Sequence, residues 1–473
     1  MFSLRLIGLY GYIIALAIYA WKDWFLALCG LILLTVLLEH PEMPHTVMGI
    51  QGLNPWNIVL AVIVVAWLTT RRLDGSPWDM PGFVTALFGL YLVLTGITYV
   101  RGAMDLGSLP EEYRETFFSF TSDEIINPLK LIVPGLMLFD GCRTRKRMLM
   151  AVCCVLLLGV GYALLVLKTM PFGELAGSSD FMLFRYRINR DTGLHANDMA
   201  MLLVGAFWSL VAAYALYRTK LWRFGMAGAA AIVFLAMALC FSRAGYVSFV
   251  AVGLLFGLFV WRPLLAILPI VGLLVCVAIP SIPARLGMGI GTGTAVSQDA
   301  SDLNEITSGR MTTIWPPVIE YISDSPLLGY GRRATVRTGV YDILSAEGEP
   351  VGHPHNAYLE VLIDAGLVGL AIMLAFYGTL SIMAVRLLRY RGDPLCVAVG
   401  GMAMATITAL LVSGLSSQSL FPTVSMFAMW CAIGLLVRAY VSVRQSAAAA
   451  VYTEEYVEPY SPRHDAVTSG STY

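Results

Sequence analysis

Apolar runs of roughly 17 to 25 residues recur along most of this chain, and each is long enough to cross the hydrocarbon core of a bilayer as a helix. A backbone in that core must satisfy its own hydrogen bonds, so repeated runs of this length favour helices. With 58% hydrophobic and only 13% charged residues, the sequence predicts an all-α fold, a polytopic transmembrane helical bundle of about 12–13 spans. The predicted spans are 4–20, 24–38, 56–70, 82–100, 126–141, 148–168, 197–217, 222–241, 244–261, 263–280, 357–385, 394–415 and 420–437.

The loops between these runs differ in charge. Lysine and arginine concentrate in every second loop, which the positive-inside rule places in the cytoplasm. The basic positions are 71–72, 143–147, 218–223, 262, 386–391 and 438–444. The division predicted is N-terminal membrane helices over 1–196, a core over 197–440, and a disordered cytoplasmic tail over 441–473.

The loops predicted on the outer side carry the unusual chemistry. Five of the six histidines fall in them. The longest loop, 281–356, has about 75 residues, and loops of that length inside a helical protein are usually functional. Apolar residues at helical spacing predict an amphipathic helix from Arg310 to Asp324, lying on the outer membrane surface. The glycines at 287–293, and Gly329 with Gly331, are expected to act as hinges.

Composition excludes several classes of function. There are 31 lysines and arginines against 31 aspartates and glutamates, so no basic surface for nucleic acid is indicated. The eight cysteines lie in or beside apolar runs, which implies neither a disulfide nor a cysteine-bound metal. The outer loops contain no Asp-x-Asp pair or His-x-x-x-His spacing, so no metal and no cofactor is expected. The first apolar run is interpreted as a retained helix.

Two histidines stand just before the span predicted at 357–385. Pro354 disfavours a helical conformation for His353, so His353 and His355 are expected at the outer membrane boundary. An imidazole there can accept a proton near neutral pH. The alternative is structural, in which His355 or Asn356 only caps the following helix.

Arg243 lies between two apolar runs in a very short outer turn, against the positive-inside trend. A guanidinium at this position needs an anion, and its planar fork suits a phosphate or diphosphate. The alternative is an arginine that reaches out to lipid phosphates.

A third polar stretch runs from 184 to 198, again before an apolar span. Its candidate substrate-binding residues are Arg187, Arg190 and His195. In the predicted topology they converge with His355 and four groups of arginine, at Arg243, Arg310, Arg332–Arg333 and Arg337. Such a rim above an apolar bundle suits an anionic substrate tethered to a lipid.

In order and spacing, residues 200–440 resemble the membrane family of O-antigen ligases and O-antigen polymerases. The motifs that carry the resemblance are Ser242-Arg243-Ala244-Gly245, Ser308-Gly309-Arg310 leading to Trp315, Ser325-Pro326-Leu327-Leu328-Gly329-Tyr330-Gly331, His355-Asn356, and Gly366-Leu367-Val368-Gly369.

The resemblance implies a metal-independent, inverting glycosyl transfer from an undecaprenyl-diphosphate-linked glycan, on the periplasmic side of a bacterial inner membrane. It implies that His355 is the base and that Arg243 holds the diphosphate. Arg310 matches a further family arginine, and Asn356 is expected to orient the histidine or cap the helix, with His353 also near substrate. The acceptor stays open among a glycan, lipid A core and a protein.

Two other classes of function remain. A lipid-linked glycan transporter would use polar residues within the bilayer, for which Lys130 and Asp140 in the span at 126–141 are the candidates. A scaffold would use the rim arginines only to contact membrane lipid.

Overall fold

In the computed structural model, residues 4–44, 46–47, 50–52, 54–175, 181–216, 219–278, 282, 310–348, 350–390, 392–416 and 419–456 are described. The hinge expected at 287–293 and the motif residues Ser308 and Gly309 lie outside them. The described part is almost entirely helical, apart from a hairpin of two short strands, β1 (Thr46–Val47) and β2 (Ile50–Gln51).

The N-terminal half contains thirteen α-helices within the described ranges. They are α1 (Leu4–Ala20), α2 (Trp24–Leu34), α3 (Pro55–Asp74), α4 (Gly82–Ala103), α5 (Phe117–Thr121), α6 (Asn127–Gly141), α7 (Arg145–Thr169), α8 (Phe172–Leu175), α9 (Phe181–Thr192), α10 (Ala196–Ala213), α11 (Lys220–Ala238), α12 (Arg243–Phe259) and α13 (Leu264–Ala278).

After residue 309, six more α-helices follow. They are α14 (Trp315–Asp324), α15 (Ala334–Arg337), α16 (Val340–Ala346), α17 (Ala357–Leu388), α18 (Pro394–Ser413) and α19 (Phe427–Tyr456). Single turns of π-helix precede α6 and α14, at Ser122–Ile126 and Arg310–Ile314. Short 3-10 turns lie at Thr35–Leu37, Leu106–Ser108, Glu111–Tyr113, Tyr214–Leu216 and Val424–Met426.

Each predicted span coincides with a helix, and the all-α, polytopic prediction is confirmed. Eight helices within the described residues are long and apolar enough to cross a membrane, and four more are apolar but shorter. The most buried of the eight are the helices at 394–413 and 424–446. Helices α10, α18 and α19 therefore form the centre of the bundle, and α4 and α11 its lipid-facing side.

The C-terminus differs from the prediction. The tail expected to be disordered from 441 is helical through Tyr456, as the continuation of α19. The cause is local sequence, because the run Ala447–Ala450 has the highest helix propensity available. Residues 457–473 lie outside the described part.

A small extramembrane unit sits over one end of the bundle. Ile314 and Val318 of the predicted amphipathic helix pack with Val340, Leu344 and Ile363 in a second hydrophobic cluster. Beside it, Leu109 from the loop after α4 packs on Val336 and Tyr341. Two of the predicted outer loops, 101–125 and 281–356, thus fold together as one unit, which we call the cap (residues 104–126 and 310–356).

The segment from Ser325 to Gly331 is held between α4 and α17. The N–H groups of Tyr330 and Gly331 donate to the carbonyls of Ile363 and Asp364, both at 2.8 Å. Arg101 of α4 donates to the carbonyls of Leu328 and Gly329, at 2.5 Å each. The expectation that Gly329 and Gly331 are hinges was therefore wrong. Their positive φ values, 59° and 90°, serve a close approach of backbone to backbone.

Helix α17 is broken where this segment meets it. Gly366 has φ 66° and ψ −168°, a conformation open to glycine alone. The N–H of Leu367 donates to Pro326 and that of Val368 to Leu327, at 2.8 and 3.2 Å. The break supplies the backbone donors that tie the segment down, which explains why a glycine occupies this position.

Candidate functional site

The start of α17 is fixed by Asn356. Its side-chain oxygen accepts hydrogen bonds from the N–H groups of Tyr358 at 2.9 Å and Leu359 at 3.2 Å, as an N-cap residue does. The N–H of Ala357 donates to the carbonyl of Gly414 at 2.8 Å, which anchors this end to the end of α18. Capping is thus done by Asn356, and the imidazole of His355 is not used for it.

His355 itself has a left-handed backbone, with φ 52°. Such a conformation costs a non-glycine residue of order 1–3 kcal/mol and persists only where the surroundings hold it. Its ring meets that of His353 edge to face, with centroids 4.1 Å apart. Between them, the carbonyl of Pro354 accepts a hydrogen bond from the indole of Trp315 at 3.0 Å. The first turn of α14 therefore fixes the bend between the two histidines.

Arg243 is the first residue of α12. Ser242 caps this helix, since its hydroxyl accepts from the N–H of Gly245 at 3.2 Å. The residue before the cap, Phe241, has φ 47°, the same left-handed backbone that His355 has before its own cap. Both motifs thus place a strained residue directly before a capped helix.

Arg185 holds this second turn in place. It donates to the carbonyl of Phe241 at 2.9 Å and to the side-chain oxygen of Asn197 at 3.0 Å. The same Asn197 oxygen accepts from the hydroxyl of Ser242 at 2.8 Å. Helix α9 and the start of α10 are therefore tied to the Arg243 motif.

The sequence did not single out Arg185. The stretch from 184 was interpreted as a loop, but it is helix α9, on which Phe184, Arg185 and Ile188 share the inner face. Arg190 is exposed and pairs with its neighbour Asp191 at 2.7 Å, so the structure does not bring it together with the other candidate residues. Arg187 lies partly buried on the same helix, and its substrate-binding role stays a prediction. The spacing of four residues between Phe184 and Ile188 was the sequence signal that could have predicted this helix.

His195 caps α10, where its Nδ1 accepts from the N–H of Asn197 at 3.3 Å. The side chain is otherwise exposed. Because Asn197 also binds Arg185 and Ser242, the histidine stands beside the Arg243 motif, as the topology predicted.

The His355 and Arg243 motifs meet through the end of α18. The hydroxyls of Ser248 on α12 and Ser413 on α18 are 2.8 Å apart, and Gly414 accepts from Ala357. Arg310 donates to the carbonyl of Ser416 at 3.3 Å in the same turn. Three motifs that are far apart in sequence are thus brought to one end of the bundle.

The electrostatics of these groups confirm their proximity. Burial, with help from His353, Arg310 and His195, lowers the pKa of His355 from 6.5 to about 3. Burial also lowers the pKa of Arg310, and Arg243 and Arg185 lower it further. We call these groups the basic cluster: Arg185, His195, Arg243, Arg310, His353 and His355. Positive groups that disfavour one another's protonation are stabilised by a nearby anion.

The rim arginines 332, 333 and 337 do not belong to this cluster. Arg332 is partly buried, with 11% of its side chain exposed, and pairs with Glu124 at 2.6 Å and with Asp364 at 2.8 Å. Arg333 pairs with Glu124 and Glu115, and Arg337 with Asp105 at 2.8 Å. The expectation that they converge on an anionic substrate was wrong, because carboxylates of the cap already neutralise them.

The two polar residues predicted inside the span at 126–141 are also paired. Asp140 forms an ion pair with Arg71 at 2.5 Å, and it accepts hydrogen bonds from Arg143 and from the indole of Trp67, both at 2.8 Å. Lys130, in the first turns of α6, donates to Asn127 at 2.7 Å. The two candidates for a transport role therefore lie at opposite ends of α6, in local contacts.

Over the ranges the structure covers, no group of three or more histidine, cysteine or acidic side chains has a metal-binding arrangement.

Two comparisons with known proteins bear on this site. Residues 227–374 match the family model described as O-antigen ligase, which confirms the resemblance drawn from the motifs. The match runs from within α11 to the middle of α17 and includes Arg243, Arg310 and the two histidines. Comparison with curated proteins gives no match. The chain is thus a multi-pass, O-antigen ligase-like membrane protein.

Proposed function

We propose that this protein is a metal-independent, inverting glycosyltransferase that moves a glycan from undecaprenyl diphosphate to an acceptor hydroxyl, on the periplasmic side of a bacterial inner membrane. The observation that carries the proposal is the basic cluster. It combines a neutral histidine with three arginines, Arg185, Arg243 and Arg310, at one end of an apolar bundle.

His355 is the base in this account. Its pKa of about 3 keeps the ring neutral at physiological pH, so it can accept a hydrogen bond from a hydroxyl. The same low pKa makes it a weak base while the site is empty. A bound diphosphate supplies negative charge beside Arg310 and His355, raises the pKa of the histidine and strengthens the base when the donor is present.

The reaction then needs one displacement. The acceptor oxygen attacks the anomeric carbon of the donor sugar, and the bond from that carbon to the phosphate oxygen breaks. The proton of the acceptor hydroxyl passes to His355, which later releases it to solvent. Arg243 and Arg310 stabilise the charge that develops on the departing diphosphate, and Arg185 positions the Arg243 turn. A single displacement inverts the anomeric centre.

Transfer to lipid A core, polymerisation of repeat units and transfer to a protein hydroxyl differ only in the acceptor. The transport alternative is less well supported, because Lys130 and Asp140 are engaged in local contacts at the ends of α6. The scaffold alternative does not account for two left-handed residues, Phe241 and His355, held at the same site.

Complementation of a strain that lacks the gene tests the proposal. Wild type, His355→Asn and Arg243→Ala are compared at equal expression, with lipopolysaccharide, surface polysaccharide and the undecaprenyl-diphosphate-linked glycan pool as readouts. Asparagine tolerates the left-handed backbone of position 355 better than alanine does. Loss of product with a built-up donor supports the transferase. Long accumulated chains indicate ligation, and single repeat units indicate polymerisation. Unchanged glycans and pools in both variants contradict it.

A further inference from the structure

A cleft of about 770 Å³ opens beside the basic cluster, between the cap and the bundle. His353 lies on its wall, together with Tyr113, Glu124, Arg332, Glu360 and Phe421. The volume falls within the range of small-molecule binding sites. His355 stands behind His353, with the two rings 4.1 Å apart, so the cleft ends next to the proposed base.

The charges of this cleft differ from those of the basic cluster. Its two arginines, Arg332 and Arg333, are each paired with Glu124, at 2.6 and 2.7 Å. Glu360 also lies within 3.4 Å of Arg332. With three carboxylates, Asp123, Glu124 and Glu360, against two arginines, the cleft offers no net attraction for a diphosphate. Instead it presents guanidinium donors and carboxylate acceptors side by side, the groups that bind neighbouring hydroxyls of a sugar.

Two buried polar atoms on the wall make no hydrogen bond. They are Nδ1 of His353 and Oε2 of Glu360. Leaving such an atom without a partner costs about 1–3 kcal/mol. Both atoms are covered, but they belong to side chains that line the cleft, so a rotation of either side chain toward the cleft lets a sugar hydroxyl satisfy it.

The walls also include aromatic rings. Phe421 lies under the guanidinium of Arg332, 4.0 Å from ring centroid to Cζ, and Tyr113 packs edge to face on Tyr341. Aromatic side chains offer flat apolar faces while the Tyr113 hydroxyl adds a polar group. Proteins commonly bind an extended peptide by adding it as a strand to the edge of a sheet. This cleft is lined by helices and turns instead. These features favour a saccharide over a polypeptide acceptor.

We infer that this cleft binds the acceptor saccharide, with His353 and Glu360 as hydrogen-bonding partners of its hydroxyls. The inference rests on the proposed function and adds a second, separate substrate site to it. The donor diphosphate occupies the basic cluster, the acceptor sugar occupies the cleft, and His353 stands between them.

The test uses full-length protein in nanodiscs and two probes. One is undecaprenyl diphosphate, measured by native mass spectrometry. The other is the oligosaccharide released by mild acid from the acceptor that accumulates in the deletion strain, measured by saturation-transfer difference NMR. Thr423, which lines the cleft and is partly exposed, is changed to tryptophan to fill it. The matched control is Glu347→Trp, at an exposed position of the cap outside the cleft.

We expect wild type and Glu347→Trp to give the oligosaccharide signal, and Thr423→Trp to reduce it at least fivefold. All three proteins should bind undecaprenyl diphosphate equally. An oligosaccharide signal that is equal in Thr423→Trp and wild type overturns the inference. Displacement of the oligosaccharide by undecaprenyl diphosphate also overturns it. So does a wild type that binds a serine-containing peptide instead of the oligosaccharide. The undecaprenyl diphosphate probe separates this result from a failure of the proposed function. If the proposed function fails, Arg310→Ala binds undecaprenyl diphosphate as wild type does.

Discussion

The imidazole rings of His353 and His355 meet edge to face, with their centroids 4.1 Å apart, and only Pro354 separates them in sequence. They nevertheless face different surroundings. His353 belongs to the basic cluster and also lines the cleft under the cap, whereas His355 is not among the residues that line the cleft. This pair therefore lies at the boundary between the basic cluster and the cleft.

Removing an arginine of the basic cluster should weaken binding of undecaprenyl diphosphate. A hydrogen bond to a charged group contributes about 1.5–3 kcal/mol, so Arg310→Ala and Arg243→Ala should each lower affinity roughly 10- to 150-fold. Native mass spectrometry or competition binding in nanodiscs measures this. Arg190→Ala is the matched control, because Arg190 pairs with Asp191 at the surface, and it should stay within twofold of wild type. Equal losses in all three variants would contradict the assignment.

The low pKa values of the histidines predict a stability that depends on pH. His355 and His353 both have a pKa below the ordinary value of 6.5, chiefly through burial. Between pH 6.5 and about 3 the unfolded chain therefore binds more protons than the folded one. Stability should be fully present above pH 6.5 and fall as the pH decreases.

Thermal unfolding in detergent at pH 7.5, 6.5 and 5.5 measures this fall. The double variant His353→Asn, His355→Asn should show a shallower decline than wild type. Added undecaprenyl diphosphate should also reduce it, since an anion favours the protonated rings. A decline that is equally steep in wild type and double variant would show that other groups cause it.

The ion pairs of Arg332 should stabilise the cap. Glu124 is buried and Arg332 is partly buried, and Arg332 and Arg333 lower the pKa of Glu124 against the effect of burial. Removing one partner of a buried pair costs about 3–5 kcal/mol, so Glu124→Gln should markedly lower the melting temperature. Asp191→Asn removes the partner of the exposed Arg190. Solvent screens such a surface pair, so this variant should melt as wild type does. Similar melting of both variants would refute the structural role.

Two glycines of α17 should respond oppositely to alanine. A Cβ at Gly366 would collide with the backbone of Leu327, and its φ of 66° is unfavourable for alanine. A Cβ at Gly378 would meet no atom within 4 Å. Gly366→Ala should therefore reduce folded protein recovered from membranes, and Gly378→Ala should not. Size-exclusion profiles of the two variants in detergent measure this, and comparable monodisperse yields would argue against a fixed break at Gly366.

The fold could be predicted because each span is a local signal. Hydrophobic run length does not depend on the rest of the chain, and all thirteen predicted spans coincide with helices. The capping role of Asn356 and the presence of Arg243 and His355 at one end also followed from local pattern and topology.

The parts that escaped prediction depend on tertiary contacts. Arg332 looked like a free rim cation until its partner Glu124, 208 residues away in sequence, was placed beside it. Arg185 was passed over because an exposed loop and a helix with one inner face have similar composition. The break at Gly366 is explained by its contact with the segment at Leu327, and no local sequence pattern predicts that contact.

The central claim is that His355 accepts the acceptor's proton while the arginines hold the donor. Its most direct test is glycosyl transfer by purified protein in nanodiscs, with lipid-linked donor extracted from the source bacterium and the accumulated acceptor of the deletion strain. His355→Asn should bind undecaprenyl diphosphate as wild type does, yet transfer glycan about 10²- to 10⁴-fold more slowly. Transfer at the wild-type rate by His355→Asn, with donor binding intact, would contradict the account.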